Sequence, residues 1–189
     1  MPWYSSEAEH QVTFSNPSTS AVGSATTYVR ALLDLLGDRD PFTIMGELLP
    51  WLDARLRGIT DQELRRPEAP GKWSVIQVVQ HLADSDLVAG YRIRMMLTED
   101  QPTVQAYDQD QWAREFHYAT VPLELALDQL RALRAANLHL WNQLTPADLE
   151  RIGRHTERGP ESVAHLLRLM GAHDLVHRAQ IHRILSSTT

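Results

Sequence analysis

The sequence predicts an all-α protein, a four-helix bundle carrying an N-terminal arm and a short extra helix. Three observations carry that expectation. Apolar residues recur at the three-to-four spacing of a buried helix face in several long segments. No apolar–polar alternation runs long enough to build a sheet. The chain also reads as two similar halves. Ile59-Thr60-Asp61-Gln62-Glu63-Leu64 and Leu144-Thr145-Pro146-Ala147-Asp148-Leu149 each place a threonine where it can cap a short turn, with an acid three residues on. Each is followed by an irregular stretch containing glycine and then by a long helix, which is how a bundle of helix pairs is wired.

Taken in order, residues 1–22 are polar and include SNPSTSAVGS, which reads as an extended or poorly ordered arm. Residues 23–189 form the bundle domain. Helical periodicity begins at Ala25, and TTYVRALLDLLGD closes at Gly37. The next run, FTIMGELLPWLDARLRG, ends at Gly58; Pro50 inside it either kinks the helix or marks its true start. In Trp73-Ser74-Val75-Ile76-Gln77-Val78, Ser74 and Gln77 have capping-box spacing, and Trp73 and Val78 fall at the staple positions. That helix runs to about Glu99. The polar connection after it, with Pro102, Tyr107, Asp108 and Trp112, exceeds usual loop lengths, so it holds a short helix around DQDQWAR or forms part of a site. A further helix spans Pro122 to about Gln143, and the last starts near Pro160 and continues past Ile184.

Composition removes several functions. The 189 residues carry 18 basic and 24 acidic side chains, a formal charge of −6, which argues against nucleic acid or an anionic membrane as the main partner. There is no cysteine, so disulfides, protein thiolate nucleophiles and cysteine-based zinc sites are excluded. Any bound metal must take His, Asp or Glu. The start of the chain has no basic segment followed by an apolar run, and no stretch of eighteen apolar residues exists, so a cytoplasmic location is expected.

The histidines are the informative polar residues. Nine in 189 residues give about 0.4 His-x-x-x-His pairs by chance, so spacing alone decides little. Position decides more. His173 and His177 interrupt the apolar stripe Leu166, Met170, Ile181, Ile184 of the last helix, one turn apart. A buried imidazole left unpaired costs about 1–3 kcal/mol, so this pair needs either hydrogen-bond partners or an ion. His81 lies between Val78, Leu82 and Ser85 on the inward face of the helix opened by Ser74. One histidine from that helix and two from the last would form a three-nitrogen site with open positions, the pattern of a catalytic metal. His182 is expected on the outer face, and His165 points away from the pair. His10, His117, His139 and His155 lie in the arm, in loops or without a partner nearby.

These segments resemble the DinB/YfiT-like superfamily of metal-dependent enzymes. The resemblance runs from about Pro41 and is carried by GKWSVIQVVQHLADSD, by LTED with YDQDQWA, and by HDLVHRAQ. It implies a four-helix bundle of up-down-down-up connectivity. It also implies a divalent metal, zinc or nickel, held by His81, His173 and His177, the positions that match the family's ligands. Among better understood relatives are S-transferases that use bacillithiol or mycothiol and a thiol-dependent maleylpyruvate isomerase; others are regarded as hydrolases. The implied chemistry is a metal with open positions that stabilises the anion of water or of a low-molecular-weight thiol cosubstrate, acting on a small-molecule substrate. The alternative is a non-catalytic bundle with a structural or sensory metal in a stress response.

Weaker candidates surround this set. Asp84, one turn beyond His81, and Gln180, one turn beyond His177, are placed to orient a ligand's second nitrogen, or to make ordinary inter-helix hydrogen bonds. Asp108, Asp110 and Trp112 either line the mouth of the site or cap a short helix. Arg92 is about 16 Å along the helix from His81, too far to be a ligand; it pairs with a loop acid or binds an anionic substrate. A homodimer is expected, with Val88, Tyr91 and Met95 or the helix from Tyr28 to Leu36 as its apolar surface.

Overall fold

The computed structural model describes residues 22–186. The arm expected over residues 1–22 lies, apart from Val22, outside them. In chain order the elements are α1 (Val22–Leu36), α2 (Pro41–Arg55), α3 (Asp61–Arg65), α4 (Val75–Thr98), β1 (Thr103–Val104), α5 (Gln109–Glu115), a 3-10 turn (Tyr118–Thr120), α6 (Leu123–Trp141), α7 (Pro146–Leu149), β2 (Ile152–His155), β3 (Gly159–Ser162) and α8 (Val163–Ser186).

The helices start where side chains satisfy their free N–H groups. Asp40 accepts from the Thr43 amide at 2.9 Å, and Pro41 takes the first position of α2, so Pro50 lies inside the helix and does not start it. Thr60 with Glu63 and Thr145 with Asp148 form reciprocal boxes, the backbone N–H of the threonine donating to the acid at 2.8 and 2.9 Å. At α4 the Ser74 N–H donates to Gln77 Oε1 at 3.0 Å, and Trp73 packs in the same apolar cluster as Val78.

The four long helices α2, α4, α6 and α8 form the bundle, and the core shows their directions. One cluster joins Leu52 near the end of α2, Val75 to Ala83 at the start of α4, Leu127 and Leu130 early in α6, and Ile181 and Ile184 late in α8. The other joins Met45, Ile93, Met96, Trp141 and Leu166, the opposite ends of the same four helices. So α2 and α8 run one way, α4 and α6 the other: up-down-down-up. Because α4 and α6 are parallel, the chain must travel back along the bundle between them, which explains the long connection over residues 99–122. Helix α1 lies outside the four and covers α8 through Leu32 and Leu36 against Leu169, Ala172 and Val176. Leu32 and Leu36 of this expected dimer helix are thereby buried within the chain, while Leu35 stays exposed.

One expectation needs correction. A three-stranded sheet is present, β1 pairing in parallel with β2 and β2 antiparallel with β3. Strands of two to four residues are too short to show a period of two, and β3 takes the residues around Pro160, so α8 opens at Val163. The sheet ties the connection before α6 to the one before α8.

Two features set the helix spacing. A Cβ on Gly171 would lie 2.9 Å from the Pro41 Cα, so α8 meets the start of α2 without room for a methyl group. Gly171→Ala is therefore expected to cost about 1–3 kcal/mol, read as a lower urea midpoint with unchanged slope. At the bundle centre, Arg134 on α6 is buried between Asp86 on α4 and Asp174 on α8, at 2.7 and 2.6 Å. Its remaining N–H donates to the Met45 carbonyl at 2.9 Å, so all five donors are matched and one side chain links all four helices.

Candidate metal centre

His81 sits two turns into α4, and His173 and His177 occupy successive turns of α8. Antiparallel packing of these helices brings the rings together. His81 Nε2 lies 3.0 Å from His173 Nε2, which lies 3.1 Å from His177 Nε2. His81 and His177 are buried, and His173 is half-buried toward a cavity. Trp73 packs its ring 4.9 Å from that of His81, so the residue that staples α4 also fixes a site ring.

Protons alone do not satisfy this cluster. Gln180 Oε1 lies 2.8 Å from His177 Nδ1, which makes Nδ1 the protonated nitrogen and leaves the Nε2 lone pair facing the other two rings. Nδ1 of His81 and of His173 is buried with no partner. Burial pushes His81 and His173 well below the usual imidazole range and His177 down to about 4, with the neighbouring histidines adding to the first two. At neutral pH the three rings are thus uncharged, and their Nε2 atoms meet in one place, where each ring is able to offer a lone pair to a cation. Nitrogens sharing an ion at about 2.1 Å stand about 3.0 Å apart at right angles and about 3.4 Å apart in a tetrahedron, so the spacing fits one small divalent cation. All-imidazole sets suit zinc and nickel alike.

The cavity, about 450 Å³, lies on the open side of His81 and His173. Ser85 Oγ stands 3.4 Å from His81 Nε2 and 3.3 Å from the Tyr107 hydroxyl, so hydroxyl groups lead away from the cluster along one wall. Asp108 and Asp110 line the cavity, and Asp108 also caps α5 by accepting from the Gln111 amide at 2.9 Å. Trp112 packs against Tyr107 with the rings tilted and their centroids 4.5 Å apart.

Gln180 and Asp84 differ in what they touch. Gln180 contacts His177. Asp84 does not contact a site histidine: it accepts from the Tyr118 hydroxyl and from Gln129 at 2.8 Å, tying α4 to the 3-10 turn and to α6. His182, His117 and His139 are exposed, and His165 is half-buried; His10 lies outside the described residues. His155 was missed. It is buried on β2 and lines the cavity, with Nδ1 accepting from the amides of Glu157 and Arg158 at 3.2 and 3.3 Å. Burial, with Arg158 and Arg92 nearby, lowers it to about 3. The residue types gave no signal for it, since Ile152 and Arg154 share the outer face of β2 and Gly153 and His155 the inner one.

A sequence model of the DinB superfamily matches residues 51–181. The chain belongs to this superfamily. Among DinB relatives, a protein of Oceanobacillus iheyensis named "putative metal-dependent hydrolase" is 32% identical over 123 residues, 65% of this chain and 71% of that one. One of the same name from Geobacillus kaustophilus is 30% identical over 170 residues, 89% and 88% of the two chains. YfiT from Bacillus subtilis, described as a probable metal-dependent hydrolase with an unusual four-helix bundle topology, has a solved structure that superposes with a TM-score of 0.73. It covers 92% of this chain and 93% of its own at 24% identity, a likeness of fold. No helix of the described residues is long and apolar enough to cross a membrane.

Proposed function

We propose that this DinB-superfamily chain is a metal-dependent enzyme in which His81, His173 and His177 hold one divalent cation, zinc or nickel, beside a small-molecule cavity. The observation that carries the reading is the convergence of three imidazoles beside that cavity, His173 Nε2 lying 3.0 Å from His81 Nε2 and 3.1 Å from His177 Nε2, with the three ligand atoms all within 4.8 Å of one another. The names of the relatives point the same way. No other His, Asp or Glu of the described residues joins the group, which favours a working site over a closed structural one. The ion would supply positive charge to stabilise the anion of a water or thiol nucleophile. The chain's own residues do the positioning: Gln180 holds the His177 tautomer, Trp73 packs on His81, and the Ser85 and Tyr107 hydroxyls offer hydrogen bonds to a molecule in the cavity. Burial pushes the Tyr107 phenol up, so it is a proton donor at neutral pH.

The reaction class we favour is transfer or hydrolysis on a small molecule. A cysteine-free protein must borrow its sulfur for transfer, so a low-molecular-weight thiol is the natural cosubstrate. Conjugation screens with such thiols, run beside ester and amide hydrolysis on zinc- and nickel-loaded protein, separate the two.

Metal binding itself is tested by stability. With free metal at a hundred times Kd the native state gains about 2.7 kcal/mol, so Tm should rise by several degrees. His177→Ala should remove most of that rise, and His182→Ala should leave it, the latter ring being exposed. Equal responses from the two variants would defeat the assignment.

A homodimer remains part of this proposal. Tyr91 is 63% and Leu87 47% exposed, one turn apart on α4, with Met95 half-buried beyond them. Val88, by contrast, lines the cavity. A pair burying about 1,200 Å² or more would scatter light as a dimer at micromolar concentration, and a monomer mass would remove this element alone.

A further inference from the structure

The cavity has a second polar pole, away from the histidine cluster, that the metal chemistry does not use. Arg92 on α4 is 7% exposed and His155 on β2 is 3% exposed, and both line the cavity. Each has a buried nitrogen with no hydrogen-bond partner: Arg92 Nε and His155 Nε2. Both are donors. Arg92 Nε always carries its proton. His155 Nδ1 accepts from two backbone amides, so the single proton of the neutral ring sits on Nε2.

Of the two arginines at this pole, only one has an ion-pair partner among the described residues. Arg158, the neighbouring cation, is committed to Glu161 through two contacts of 2.8 and 3.0 Å. Arg92 makes no ion pair with any described residue. Its polar contact is one N–H donated from Nη2 to the Gln105 carbonyl, with the Tyr107 ring 5.9 Å from the guanidinium. No acid of the cavity wall makes an ion pair with it, a pairing that sequence alone leaves open; Glu157 and Glu161 act on it only through space, against Arg158 of like charge. A buried guanidinium lacking a counter-ion, beside a second unmatched donor, is incomplete until an anionic acceptor arrives.

We infer that Arg92 and His155 form a binding subsite for an anionic oxygen group, a carboxylate or a group of like charge, on the small molecule that occupies this cavity. The inference rests on the proposed function only in taking that molecule as the substrate; the subsite itself needs no metal. Leu166, Leu169 and Met170 supply apolar wall to the same cavity, and the volume of about 450 Å³ suits one compact molecule. The substrate class is then an acid with an apolar body: its anion is held at Arg92 and His155, while its reacting group lies toward His81 and His173. The Ser85–Tyr107 hydroxyl pair stands between them.

The test compares 4-phenylbutyrate with its neutral analogue 4-phenylbutanamide by calorimetry, on full-length protein with and without zinc. The carboxylate should bind about ten-fold or more tightly than the amide, the size of effect a charge-assisted hydrogen bond gives. Arg92→Met should abolish that preference while leaving zinc binding at the wild-type level, and Arg92→Lys should retain part of it. His155→Phe should weaken carboxylate binding in the same direction. The preference should survive His173→Ala, which removes the metal reading but not this subsite. Equal binding of the two probes by wild-type protein, which needs no variant to fold, would overturn the inference. So would a preference lost in His173→Ala yet unchanged in Arg92→Met, because the acid would then be sitting on the ion. Absence of zinc binding with an intact, Arg92-dependent preference would sink the metal reading and uphold the subsite.

Discussion

Replacing Arg134 by methionine should lower stability by about 3–5 kcal/mol, the largest single loss expected in this chain. The change leaves Asp86 and Asp174, both fully buried, facing each other without the cation that separates them. It also frees the Met45 carbonyl of α2. Coulombic attraction is not a surplus in such a triad, since desolvating three charges offsets most of it; the damage comes from stranding two of them. A variant in which all three are replaced by apolar residues of similar volume should therefore recover much of the loss. Urea unfolding of the two variants decides the matter: a loss under 1 kcal/mol for Arg134→Met would show that water reaches the triad.

Acid should destabilise the metal-free protein steeply, and above the range in which carboxylates titrate. His81, His173, His177 and His155 all have folded pKa values below the ordinary imidazole value near 6.5, chiefly through burial, with His177 at about 4 and His155 at about 3. A depressed histidine favours the native state fully above the unfolded value, and that advantage is lost as pH falls from 6.5 toward the folded value. Asp174 works the other way: burial outweighs Arg134 and raises it to about 6, so the native state gains a proton there. Four rings less one carboxylate leave about three protons taken up on unfolding near pH 5.5, a slope on the order of 3–4 kcal/mol per pH unit. His177 alone accounts for about 3 kcal/mol by pH 4. Stability measured by urea at pH 7, 6 and 5 should trace this fall, and zinc should shift it to lower pH, because a bound ion competes with the protons. A flat profile across that range would mean that the rings are already charged or already solvated.

Helix starts were legible because their causes are local. Thr60 with Glu63, Thr145 with Asp148 and Ser74 with Gln77 meet within one turn of chain, so their spacing suffices to place α3, α7 and α4. The two histidines on α8 were legible for the same reason, a spacing of four on an apolar face. The connection before α6 was recognisable as too long for a loop. Its strand was not, because β1 has two residues and exists only through Arg154 and His155 of a segment fifty residues later. Arg134 and Asp86 read as ordinary polar positions of amphipathic helices. Nothing in a helical repeat distinguishes a solvated arginine from one enclosed by three other helices.

By itself, then, the sequence determined the all-α class, the positions of the helices, the absence of any protein thiol and the three imidazoles able to meet. Each of these depends on residue type or on contacts within a turn. Tertiary structure alone decided which polar groups are buried and what they touch across the fold: Asp84 on Tyr118, Arg134 between two aspartates, and Arg92 and His155 left unmatched in one cavity. These depend on which distant segments are packed together. The cost of an unpaired charge or lone pair is set by the water that packing removes, which no local spacing records.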